Sequence, residues 1–244
     1  MSQTGTYDGS FSRARGFSEA LGPGFDLRLL RKGLVAASAT VILLGIFREW
    51  FVAHYGVETV FQDMRHIALD AEMCLGAWYS ATLMVLAAGL MSVIARLKAR
   101  SGRGMVGYWV VLAIVFIGLS LDEETSVHEL AIEPLRNQFH LTGVFYFAWV
   151  VPGLILVSLF ALVYARFLRA LPRPFGLMFF VCGGVYVAGA LGMEMVAGVI
   201  GEHGIRYVVC FIIEEGLEIA GMTMFVLTLL SYLRHHFDGL AVRF

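Results

Sequence analysis

Residues 207–233 read Tyr207-Val-Val-Cys-Phe-Ile-Ile-Glu-Glu-Gly-Leu-Glu-Ile-Ala-Gly-Met-Thr-Met-Phe-Val-Leu-Thr-Leu-Leu-Ser-Tyr-Leu233. The run is long and apolar enough to cross a bilayer, which takes ~20 residues as an α-helix. Yet Glu214, Glu215 and Glu218 lie within it. Ionisable groups at membrane depth cost several kcal/mol unless they are paired or solvated, so they mark functional sites by default. Working outward, the same pattern recurs. Ser120-Leu-Asp-Glu-Glu-Thr-Ser-Val-His-Glu-Leu130 closes another apolar run, and Glu194 sits inside a third.

The whole composition agrees with a membrane reading. The chain has 244 residues, 59% of them hydrophobic and 15% charged, with a mean hydropathy of +0.77. Soluble domains are nearer 45–50% apolar and about 25% charged. The net charge of −1 gives no general case for nucleic acid. Cys74, Cys182 and Cys210 lie in apolar segments without metal-type spacing and read as buried free thiols.

Apolar runs predict an all-α polytopic bundle of about six spans, at 33–55, 72–97, 105–129, 143–168, 175–200 and 207–233. Residues 1–32 read as a polar, mostly disordered cytoplasmic tail, with a short interfacial turn at Leu27–Leu30, and residues 235–244 as a second tail. Arg28, Arg31 and Lys32, then Arg96, Lys98, Arg100 and Arg103, then Arg166, Arg169 and Arg173, and finally Arg234 fall on alternate connections. The positive-inside rule therefore predicts that both termini are cytoplasmic, in a bacterial inner membrane. Of the outer connections, 56–71 has helical periodicity and 130–142, with Pro134, reads as a loop. Pro152 inside the fourth span predicts a kink. Small residues in the fifth span, and the pair Gly216 and Ala220 in the sixth, predict close packing of these two helices near the acids.

This topology gathers the acids at one depth near the extracytoplasmic side, with Asp70, Glu72, Arg48 and Glu49 at the rim and an apolar inner half. At ~100° per residue, Glu215 and Glu218 share a face. In a regular third helix Asp122, Ser126 and Glu129 share one face, and Glu124 and His128 share nearly the opposite one. Glu123 and Glu133 read as solvated. Like charges at low dielectric cannot all ionise, and Arg48, Arg206 and His128 are too few to balance them. Carboxylates with one imidazole suit Fe, Mn or Zn. The leading expectation is a mono- or dinuclear divalent metal site built from Asp122, Glu124, His128, Glu129, Glu194, Glu215 and Glu218, in a membrane metalloenzyme acting on a lipid-like substrate. A proton or cation relay, and a structural polar network in a non-catalytic subunit, are the competing readings. Membrane lipid and the metal ion are the expected partners.

Two motifs, Leu119-Ser-Leu-Asp-Glu-Glu-Thr-Ser-Val-His-Glu129 and Glu214-Glu-Gly-Leu-Glu-Ile-Ala-Gly221, together resemble those of a group of uncharacterised bacterial multi-pass membrane proteins. The resemblance spans the third to sixth apolar runs and implies a shared membrane architecture, without an assigned activity.

Overall fold

The computed structural model describes residues 27–56, 62–69, 71, 73–102 and 104–237. The expectations for residues 1–26, 57–61, Asp70, Glu72, Arg103 and 238–244 lie outside that set. Six helices are long and apolar enough to cross a membrane, and no strand occurs among the described residues. The elements are α1 (Leu27–Tyr55), a 3-10 turn (Gln62–Ile67), α2 (Leu75–Arg100), α3 (Val106–Thr125), a second 3-10 turn (Val127–Ala131), α4 (Ile132–Phe139), a third (Gly143–Phe145), α5 (Val150–Ala170), α6 (Arg173–Val187), a π segment (Ala188–Met193), α7 (Glu194–Ile200) and α8 (Ile205–Phe237). The fifth span comprises α6, the π segment and α7.

The centre of the bundle is α2 and α8. Buried residues fill 56% and 61% of their apolar windows, against 17–28% in the other four spans. Accordingly α8 touches α1, α2, α6, the π segment and α7, while α2 carries α3 as a tight hairpin and α5 leans on α6. At 1.5 Å per residue, the 33 residues of α8 measure ~50 Å. That exceeds the ~30 Å hydrocarbon layer, so the helix runs past it.

Several local expectations change. The first helix starts at Leu27, so the interfacial turn foreseen at Leu27–Leu30 is the first turn of α1. Arg28, Arg31 and Lys32 lower the hydropathy there without breaking the helix. Pro152 is the third residue of α5. It sits in the first turn, where its missing N–H costs nothing, so it starts the helix instead of kinking it. Pro134 is likewise third in α4, and much of the expected loop 130–142 is helical. The third span ends at Thr125, because Ser126 adopts a left-handed conformation with φ 47°.

The predicted approach of the fifth and sixth spans is present, made in the fifth by Gly189, one of its predicted small residues, and in the sixth by Gly221 instead of Gly216. A Cβ on Gly189 would lie 2.8 Å from Glu214 O and 2.9 Å from Glu218 Cγ; one on Gly221 would lie 2.8 Å from Tyr186 N. Gly216, by contrast, has nothing within 4 Å of such a position.

The half of the bundle nearer the chain's basic ends is packed with aromatic rings. Trp109 is fully buried, with the rings of Phe167, Tyr232 and Phe179 at 5.1, 5.2 and 5.9 Å. Ser38 Oγ lies 2.8 Å from Tyr79 Oη and 2.7 Å from Thr223 Oγ1, tying α1, α2 and α8 together by hydroxyls. Cys74, Cys182 and Cys210 are buried free thiols, as expected.

Candidate functional site: a buried carboxylate cluster

Three lengths of chain bring the acids together. On α8, Glu214, Glu215 and Glu218 lie nine to thirteen residues from Ile205, ~14–20 Å along the axis. Glu218 is 7% exposed. Gly189 lets the π segment lie directly on it, and the Tyr186 side chain one turn earlier is its hydrogen-bonding neighbour. From α3, Glu123 enters the same field, acting on both Glu218 and Tyr186. It also faces the hydroxyl of Ser80 on α2, an oxygen that is buried with no partner at hydrogen-bond distance. Glu123 thus belongs to the cluster and is not a solvated surface acid.

The third contribution comes from the break after α3. Asp122 Oδ1 accepts from the backbone N–H of His128 at 2.9 Å, and Asp122 Oδ2 lies 2.9 Å from His128 Nδ1. One carboxylate therefore closes the left-handed turn at Ser126 and fixes the imidazole. The two faces predicted for a regular helix do not exist, because the helix stops before His128. Asp122 pairs with His128, and Glu129 is exposed on the 3-10 turn. The His128 ring packs on Trp149 at 4.4 Å between centroids. Trp149 Nε1 in turn donates to Glu194 Oε1 at 3.2 Å. Asp122, His128, Trp149 and Glu194 thus form one continuous line of contacts.

Some of these groups have an unmet need. Glu194 Oε2 and Glu124 Oε2 are buried and accept no hydrogen bond. A buried acceptor without a donor costs ~1–3 kcal/mol, more if charged. The nearby charges are carboxylates too: Glu129 and Glu202 act on Glu194, Glu194 and Glu123 on Glu214, and Glu123, Glu215 and Glu214 on Glu218. Of the three expected counter-cations, two are paired and one is exposed. Arg48 pairs with Glu49 at 2.5 Å, His128 pairs with Asp122, and Arg206 is exposed.

The seven nominated residues are therefore only partly brought together. Glu215 and Glu218 share the α8 group, Asp122 and His128 form a pair, Glu194 joins that pair through Trp149, Glu124 is half-buried beside Glu123, and Glu129 stands apart. Among the described residues, no three His, Cys, Asp or Glu side chains are placed to hold one metal ion. Sequence reasoning missed Glu123, Tyr186, Ser80 and Trp149. Glu123 had a signal: Phe116, Ser120 and Glu123 repeat at i, i+4 and i+7, and Ser120 is buried with its hydroxyl on Ala81 O at 3.0 Å.

Neither a curated protein nor a solved structure matches this chain. One family model does, over residues 33–233, and so takes in all six spans and every acid described above. The chain belongs to the family described as a domain of unknown function, DUF8692.

Proposed function

We propose that this is a bacterial plasma-membrane protein, with both ends cytoplasmic, whose carboxylate cluster takes up protons or a small cation from the extracytoplasmic side. The carrying observation is the buried, donorless Glu194 Oε2, whose charged neighbours Glu129 and Glu202 are carboxylates; Glu124 Oε2, next to Glu123, is likewise buried without a donor. A low-dielectric site cannot keep several carboxylates ionised without a counter-charge, and protons and cations then compete for the same oxygens. The basic connections support the orientation. The aromatic packing around Trp109 supports binding at one side over passage through the bundle.

A divalent metal remains the second reading, favoured by the Asp122–His128 contact. A carboxylate on one imidazole nitrogen is the arrangement that orients a metal-binding histidine, leaving Nε2 for the ion. Asp122 would then act behind His128, with Glu124, Glu129, Glu194, Glu215 and Glu218 as candidate ligands once their side chains moved inward. Such an ion would supply Lewis acidity towards water and a lipid-like substrate.

The test is proton release. Purified protein in weakly buffered detergent is titrated with Na+, K+, Mg2+, Mn2+ and Zn2+ while pH is followed by dye. Cation-dependent release should occur in the wild type and fall in Glu218→Gln and Glu194→Gln variants that keep their helical spectrum. Release by Mn2+ or Zn2+ alone, lost in His128→Ala, selects the metal reading. No release with any cation overturns both and leaves a structural polar network.

A further inference from the structure

The opposite end of α8 holds a second feature that the acids do not involve. Arg31 of α1 reaches across to Ser231, its Nη2 donating to Oγ at 2.9 Å. Its Nε is buried with no partner. A groove of about 320 Å³ opens beside it, between α6 and α8, walled by Pro174, Phe175, Met178, Met224 and Leu227. That size lies at the lower end of the ~300–1,000 Å³ typical of ligand sites. Two further residues that line it keep their hydroxyls occupied: Thr228 donates to Met224 O and Ser231 to Leu227 O, both at 2.7 Å. The groove therefore offers an apolar wall with one guanidinium at its mouth. Exposed Arg28 and Lys32 of α1, Arg173 at the head of α6 and Arg234 near the end of α8 lie at the same end of the bundle.

We propose that this groove is a binding site for an anionic phospholipid, with the phosphate at Arg31 and an acyl chain along Met178, Met224 and Leu227. The charge selects the occupant. The half-buried guanidinium of Arg31 has an N–H without a partner and calls for an acceptor, and a phosphate oxygen can meet it while the surrounding basic residues favour negative charge. Basic pockets between membrane helices are where anionic lipid headgroups bind. The wall beside it lies within membrane-spanning helices, where lipid chains are the surrounding medium.

The full chain in detergent is mixed with equal amounts of phosphatidylglycerol and phosphatidylcholine, and retained lipid is counted by native mass spectrometry. Wild type should prefer phosphatidylglycerol. Arg31→Ala should lose about fivefold of that preference, ~1 kcal/mol at the tenfold-per-1.4 conversion. Leu227→Trp, which fills the groove and leaves Arg31 in place, should lower retention of both lipids. Ser231→Ala tests the alternative that Arg31→Ala acts only by loosening α1 from α8, and should keep the preference. The proposal is overturned if wild type shows no preference, or if Arg166→Ala, an exposed charge outside the groove, lowers it as much as Arg31→Ala.

Discussion

Replacing Gly189 by alanine should destabilise the protein, and the same change at Gly216 should stabilise it. Both residues lie beside the acids, on the two helices that meet there. On Gly189 the new methyl would sit 2.8 Å from Glu214 O, and ordinary contact begins at 3.4 Å. The π segment and α8 would have to part by about 0.6 Å (3.4 less 2.8), against a backbone atom that cannot swing aside. Overpacking of this kind costs ~1–3 kcal/mol. At Gly216 the methyl would meet nothing within 4 Å. There the helical gain of alanine over glycine, ~0.5–1 kcal/mol, is the surviving effect. Reversible unfolding in mixed micelles, followed by helical circular dichroism, should separate the two variants by ~1.5–4 kcal/mol. Gly221→Ala, 2.8 Å from Tyr186 N, should fall with Gly189→Ala. If Gly189→Ala unfolds with the wild type, or all three variants move together, the close approach that places Glu218 under the π segment is wrong.

Three further outcomes follow from the contacts. Asp122→Ala removes both acceptors that His128 uses, and should cost ~1–3 kcal/mol and expose residues 126–131 to proteolysis, while Asp122→Asn keeps more of the turn. Trp149→Phe keeps a ring on His128 but removes the donor to Glu194 Oε1; a loss of ~1–3 kcal/mol in unfolding should be largely recovered in Trp149→Phe with Glu194→Leu, where no carboxylate is left buried. Ser38→Ala should cost ~0.6 kcal/mol and at most ~1.7, the range for hydrogen bonds between membrane helices, and the loss should vanish in a Thr223→Val background if that hydroxyl is the partner that counts.

The spans were legible because burial in lipid imposes one requirement on every residue of a helix, and runs of ~20 apolar residues record it. Their ends were less legible. Arg31 and Lys32 interrupt a hydropathy run, but a helix beginning at a basic membrane surface tolerates them. Pro134 and Pro152 looked like a loop marker and a kink because a proline's effect depends on its position in the turn, and that position depends on where the helix starts. The α8 acids were placed on the helix as ~100° per residue requires, since α8 is regular along its length. The α3 acids were not, because a single left-handed serine, Ser126, ends the helix with no glycine or proline to announce it. Every angle counted past that residue was void. Trp149 and Tyr186 were invisible for another reason: Trp149 comes to the acids from the turn before α5 and Tyr186 from α6, and periodicity within one helix cannot report a neighbour across an interface.

The π segment sets a further condition on the fold. A π turn holds one residue more than the α turn it replaces, so the register after Ala188–Met193 is set back by ~100° relative to an uninterrupted helix of the same sequence. Glu194 follows at once, facing Trp149. Gly198, one turn on, lies so close to the preceding connection that an added Cβ would be 2.5 Å from Gly143 O. Deleting one residue of the six would restore a plain α-helix and leave both contacts in line, whereas winding all six as α-helix would swing both out of line together. Substitutions there must respect only local space, as at Gly189. In this segment the way the backbone closes its turns, more than the identity of its residues, sets the position of the acid.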